Sequence, residues 1–128
     1  MDTMDQLTTT TMLLRIHHTQ VGIPRDGLEK AREFYCDLLG LKEVHRPFGP
    51  DGFWVQVGDR NVHFGFDDVK DRRASRAHVA YEVSDVAAVK KLLQSAGYAI
   101  ENPPCMPGYV RFHVRDPFGN QVEFIEKV

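Results

Sequence analysis

Three histidines and one glutamate stand at spacings that split the chain into two matching parts. His78 follows His18 by 60 residues, and Glu123 follows His63 by 60 residues, so each part holds a pair separated by 45. Imidazole nitrogen and carboxylate oxygen, without a thiolate, are donors that suit Fe, Ni, Mn, Co or Zn, and the residue types alone do not choose among these ions. A twofold relation between the parts would bring four donors to one point. His18, His63, His78 and Glu123 are therefore the candidate ligands of one divalent metal ion.

The elements that must carry these residues recur in the same order. Residues 13–23 alternate and are rich in β-formers, which predicts a strand. Asp26 opens a predicted helix running through Leu39, with Glu29 as capping-box partner and Gly40 as its stop. Its inward stripe is Leu28, Ala31, Phe34 or Tyr35, and Leu38. Short strands are expected at about 41–46, 52–57 and 61–66, separated by Pro- and Gly-containing turns. After a polar linker, DDVKDRRASR, the order repeats. A strand spans 77–83, a helix runs from about Asp85 to Ala96, and strands follow at about 98–101, 108–115 and 120–126. The fold class is therefore α+β: one domain over 13–128, built from two βαβββ modules at about 13–66 and 77–127.

Alternation along a strand sorts its side chains onto two faces. Val62, Phe64 and Phe66 oppose Asn61, His63 and Gly65. Val79, Tyr81 and Val83 oppose His78, Ala80 and Glu82. Val110, Phe112 and Val114 oppose Tyr109, Arg111 and His113, while Val122 and Phe124 oppose Gln121, Glu123 and Ile125. His18 shares a face with Gln20, whereas His17 goes with Thr19 and Val21 toward the helices, which favours His18 as the ligand. One apolar face suits packing under helices. The polar face suits either solvent or the wall of a small-molecule funnel, and the ligand-type residues favour the funnel.

The segments HTQVGIP, LEKAREFYCDLLGLKEV, HVAYEVSDV and the closing VRDPFGNQVEFIE resemble the vicinal-oxygen-chelate superfamily, which includes glyoxalases, bleomycin resistance proteins and extradiol dioxygenases. The resemblance covers roughly residues 15–127. It implies a glyoxalase-like fold, in which the paired modules form a curved mixed sheet with helices on the outer face. It places metal ligands at His18, His78 and Glu123. The remaining position, often Glu in glyoxalase-like members, is His63 here, read either as a fourth ligand or as a pocket histidine. With four protein ligands an octahedral ion keeps two positions for a substrate that chelates through vicinal oxygens, which is isomerase or lyase chemistry. A glyoxalase-like route would use Glu123 as a catalytic proton shuttle. With three ligands the set suits an Fe(II) extradiol-type dioxygenase. A non-catalytic binding or resistance protein on the same fold is the third reading.

Gln20, Trp54, Gln56, Arg111 and His113 are the expected substrate-pocket residues. Arg111 reads either as a clamp on a substrate anion, through its planar fork, or as a paired arginine. Trp54 reads either as pocket wall or as cover for a dimer seam. The resemblance further implies a homodimer, in which His18 and His63 could meet His78 and Glu123 of the partner.

The 128 residues carry a net charge of -2, with 42% hydrophobic and 27% charged residues. That balance offers no electrostatic footprint for nucleic acid and no polybasic membrane patch. No apolar run reaches the ~20 residues of a membrane span. Residues 1–12 are polar and Thr-rich, expected to form a flexible tail without a secretory signal pattern. Cys36 and Cys105 show no metal-type spacing, so free thiols in a cytoplasmic protein are expected.

Overall fold

The structure is a computed structural model that describes residues 12–128, so the expected tail lies outside the described residues except for Met12. The first half consists of β1 (His18–Ile23), α1 (Leu28–Arg32), β2 (Lys42–Val44), β3 (Gly52–Val57) and β4 (Arg60–Phe66). A short 3-10 turn at Arg72–Ala74 interrupts the linker. The second half holds β5 (His78–Glu82), α2 (Val86–Ser95), β6 (Tyr109–Arg115) and β7 (Gln121–Lys127). Each half makes its own mixed sheet, ordered β1-β4-β3-β2 in the first and β5-β7-β6 in the second. The parallel pairs β1/β4 and β5/β7 are the counterparts of one another.

Three sequence expectations are corrected. The first strand begins at His18 rather than at 13, because its partner β4 begins at Arg60 and the register pairs His18 with Asn61. Leu13, Leu14 and Ile16, ahead of that register, are exposed. The strand expected at 98–101 is reduced to one bridge, in which Glu101 and His113 exchange two backbone hydrogen bonds of 2.8 Å. Pro103 and Pro104 follow at once, and a proline nitrogen has no hydrogen to continue a ladder. The first helix is capped at Gly27 without a side-chain hydrogen bond, so the Asp26 capping box does not form.

That helix also changes pitch. From Glu33 to Leu38 it is π-helical, and the wider turn brings the neighbouring residues Phe34 and Tyr35 both into the core. The second helix follows the expected pattern more closely. The Asp85 carboxylate accepts from Ala88 N at 3.1 Å, and Val86 and Leu93 are its buried residues.

The core forms where the apolar strand faces meet the helices. The Tyr35 ring packs on Phe64 at 4.4 Å, and Phe112, Val114, Val122 and Phe124 supply the equivalent face of the second sheet. Their strand neighbours His63, His113 and Glu123 therefore point to the opposite face, as alternation requires. The turn Asp116–Asn120 joins the halves. Buried Asp116 accepts from Tyr35 Oη at 2.7 Å, from Phe118 N and Asn120 N at 2.9 Å, and from Asn120 Nδ2 at 3.0 Å. Asn120 Nδ2 also donates to Gly22 O at 2.9 Å, tying β1 to the second half.

Candidate metal centre

The four predicted ligands divide into two pairs. In the second half, β5 and β7 bring His78 beside Glu123, with Nε2 to Oε1 at 2.9 Å. The antiparallel register places His113 of β6 directly across from Glu123, and its Nε2 lies 3.0 Å from the same oxygen. The donor atoms of His78, His113 and Glu123 all lie within 4.8 Å of one another. In the first half, His18 stacks on His63 at 4.1 Å and 19°, and Trp54 stacks on the other side of His63 at 3.9 Å and 4°. His18 and His63 are not part of the three-residue group.

The environment of Glu123 favours its charged form. Burial raises its pKa, but hydrogen bonds from His113 and Arg111, together with their charges, outweigh that cost and leave the pKa below the ordinary carboxylate value. Arg111 Nη1 stands 3.4 Å from Oε2, and its Nη2 donates to Pro104 O at 2.7 Å. Arg111 is thus the paired arginine of the two readings. For His63, burial is the main cause of a lowered pKa, reinforced by repulsion from His18, His17 and Arg46.

His78 carries the clearest mark of a ligand. Its Nδ1 lies 3.0 Å from the carbonyl oxygen of Arg76 and 3.3 Å from Gln121 Nε2, and its Nε2 lies 2.9 Å from Glu123 Oε1. A backbone carbonyl beside the second ring nitrogen is a usual support of metal-binding histidines. His78, His113 and Glu123, with donor atoms within 4.8 Å of one another, could hold a metal ion together. The donor set fits a divalent metal.

His18 and His63 open into one cavity and His78 into another, whereas Glu123, Arg111 and His113 border neither. His18, His63 and Trp54 line one of about 410 Å³ together with Arg46, Phe48 and Asn61. His78 and Gln121 line another, about 340 Å³, in the seam between β1 and β5. Gln20 borders both, whereas Gln56 turns its amide back to Gly58 O at 3.0 Å and borders neither. Asn61 was within reach of sequence reasoning, since it shares a face with His63. Arg46 and Phe48 stand in a loop where alternation gives no signal.

The sequence profile of the Glyoxalase/Bleomycin resistance protein/Dioxygenase superfamily matches residues 15–124. The chain belongs to that superfamily. A lactoylglutathione lyase of Neisseria meningitidis is 30% identical, over 89% of this chain and 91% of that protein. The crystal structure of a glyoxalase family protein from Bacillus anthracis superposes with a TM-score of 0.83 at 31% identity, covering 94% of this chain and all of the other. A fosfomycin resistance protein of Listeria monocytogenes, determined with Mn(II) and a dihydroxypropylphosphonic acid, shares the fold at a TM-score of 0.74 and 13% identity, covering 91% and 95% of the two chains. The α+β architecture of paired modules is thus that of the glyoxalase-like superfamily. Among the described residues, no helix is long and apolar enough to cross a membrane.

Proposed function

We propose that this superfamily member is a glyoxalase-like metalloenzyme acting on a small substrate that chelates a divalent ion through two vicinal oxygens. The observation that carries the reading is the cluster of His78, His113 and Glu123, whose donor atoms lie within 4.8 Å of one another. His78 and Glu123 would hold the ion. His18 and His63 are the donors that the repeat offers from the first half. They line a different cavity of the same chain, and a second copy in a twofold dimer would bring them to His78 and Glu123.

When bound, the ion supplies Lewis-acid stabilisation of negative charge on a chelated substrate oxygen. The chain itself supplies three further things. Glu123, kept anionic by its neighbours, can accept a substrate proton at a carboxylate oxygen. Arg111, with Nη1 3.4 Å from Oε2, holds that carboxylate in place. The stacked rings of His18, His63 and Trp54 offer a flat wall in the neighbouring cavity, against which a substrate could lie.

The similarity to lactoylglutathione lyase makes a hemithioacetal of an α-oxoaldehyde the first substrate to try. The test is metal analysis of protein purified without added metal, beside turnover of that substrate by the wild type and by Glu123→Gln. Bound Ni, Zn, Co or Mn, with turnover lost in Glu123→Gln, is the expected result. Bound iron with oxygen uptake on a catechol would move the assignment to the dioxygenase branch. Metal-free protein that still binds small ligands would make it a binding protein.

A further inference from the structure

We propose that His113 is a protein ligand of the metal, so that one chain presents a complete two-histidine, one-carboxylate face from β5, β6 and β7. The inference rests on the reading that the protein carries a metal, and it changes the ligand set that repeat symmetry suggests. His113 takes the place assigned by symmetry to His63, which stays in the pocket wall.

Ring geometry separates the two histidines. A nitrogen lone pair lies in the plane of its imidazole, so an ion shared by two rings must lie near both planes. The His18 and His63 rings are stacked at 4.1 Å and 19°. An ion midway between two near-parallel planes would stand far out of each, so the stacked pair does not chelate one ion. His63 is further held from its other side by Trp54 at 3.9 Å and 4°. The His78 and His113 rings are 5.2 Å apart and inclined by 46°, so their planes intersect. Both aim Nε2 at one oxygen, Glu123 Oε1, from 2.9 and 3.0 Å.

The remaining contacts agree. Arg111 approaches Glu123 only at 3.4–3.5 Å, so neither carboxylate oxygen is taken up by a short guanidinium bond. Glu123 is 3% exposed, so an ion held there is shielded on the carboxylate side. Three protein donors on one face leave three positions at an octahedral ion. If His18 of a second copy adds a fourth donor, two positions remain for the vicinal oxygens.

The test uses the full chain, stripped with EDTA and titrated with Co(II) alone by equilibrium dialysis. X-ray absorption on the loaded protein counts the bound imidazoles. His113→Ala and His113→Gln should each weaken Co(II) binding more than about 100-fold, beyond the 10–100-fold expected when an outer-shell partner is lost. His63→Ala should keep both wild-type affinity and the wild-type imidazole count, a readout that leaves His113 untouched. Recovery of affinity in His113→Gln, which can still donate to Glu123, would reduce His113 to a positioning residue and overturn the inference. So would an imidazole count that falls by one in His63→Ala. In both of those cases His78→Ala still loses the metal and the metalloenzyme reading stands. Failure of the wild type to bind Co(II) would remove that reading and this inference together.

Discussion

Trp54 and His113 hold the same place in the two halves of the fold. Trp54 is the cross-strand partner of His63, as His113 is of Glu123. One half therefore sets an indole on an imidazole, and the other sets an imidazole on a carboxylate. The repeated backbone carries a ring wall on one side and a donor cluster on the other.

Trp54 is the single tryptophan, so intrinsic fluorescence reports on its stack with His63. The His63 pKa is lowered, chiefly by burial. Protonation would press a cation against the indole face and change its emission. In metal-free protein, emission should hold steady above about pH 6.5, the ordinary histidine value, and change with a midpoint below it. His63→Ala should abolish the transition. The same shift has a sign for stability. The folded state resists the proton, so this contribution is present above about pH 6.5 and is lost as pH falls through the folded-state value.

Replacing Glu123 by Gln should cost metal-free stability as well as metal. The buried carboxylate accepts from His113 and faces Arg111, which is 17% exposed in its side chain. Loss of a charged acceptor there is worth about 2 kcal/mol. Urea denaturation in EDTA at neutral pH should show that drop. The difference between wild type and variant should shrink in acid, as pH falls through the depressed Glu123 value. An unchanged midpoint at neutral pH would mean that the cluster is not stabilising without metal.

Asp116→Ala should be among the most damaging single changes away from the metal centre. It would strand the Tyr35 hydroxyl, two backbone N–H groups and one amide donor of Asn120. A loss of about 3 kcal/mol or more is expected from buried donors left without an acceptor. Chemical denaturation measures it, and Asp116→Asn should retain part of the difference because its carbonyl still accepts.

A metal site shared across a twofold dimer has its own signature. His18→Ala and Glu123→Ala chains, each inactive alone, should recover activity when unfolded together and refolded as a mixture. Half of a random mixture is heterodimer with one intact site of two, so recovery to about a quarter of wild type is expected. No recovery would confine the site to one chain.

Much of the layout was legible in local pattern. Alternation sorted Val62 and Phe64 from His63, and Val122 and Phe124 from Glu123, because a strand's period is a property of neighbours. It also put His113 and Arg111 on the ligand face. The partition of His18 and His63 from His78 and Glu123 was not legible, since it depends on how the two halves dock. Nor was the π-helical turn that buries both Phe34 and Tyr35, where sequence periodicity offered one or the other. The contact of His78 Nδ1 with the carbonyl of Arg76 was not legible either, since a backbone group leaves no trace in residue type. Gln56 alternates with the pocket residues, yet the Gly58 turn beside it offers a nearer acceptor.

Every strand pairing described in the two sheets closes within one half of the chain. Each ladder can therefore form before the halves meet, its widest closures, His18 to Asn61 and His78 to Gln121, spanning 43 residues. The bonds that bridge the halves are of another kind. Asn120 reaches Gly22 across 98 residues, and Tyr35 reaches Asp116 across 81. Both converge on the turn at Asp116–Asn120, so that turn is the latch of the folding reaction. Two half-barrels would form early and nearly independently, and their closure would be the late, rate-setting event.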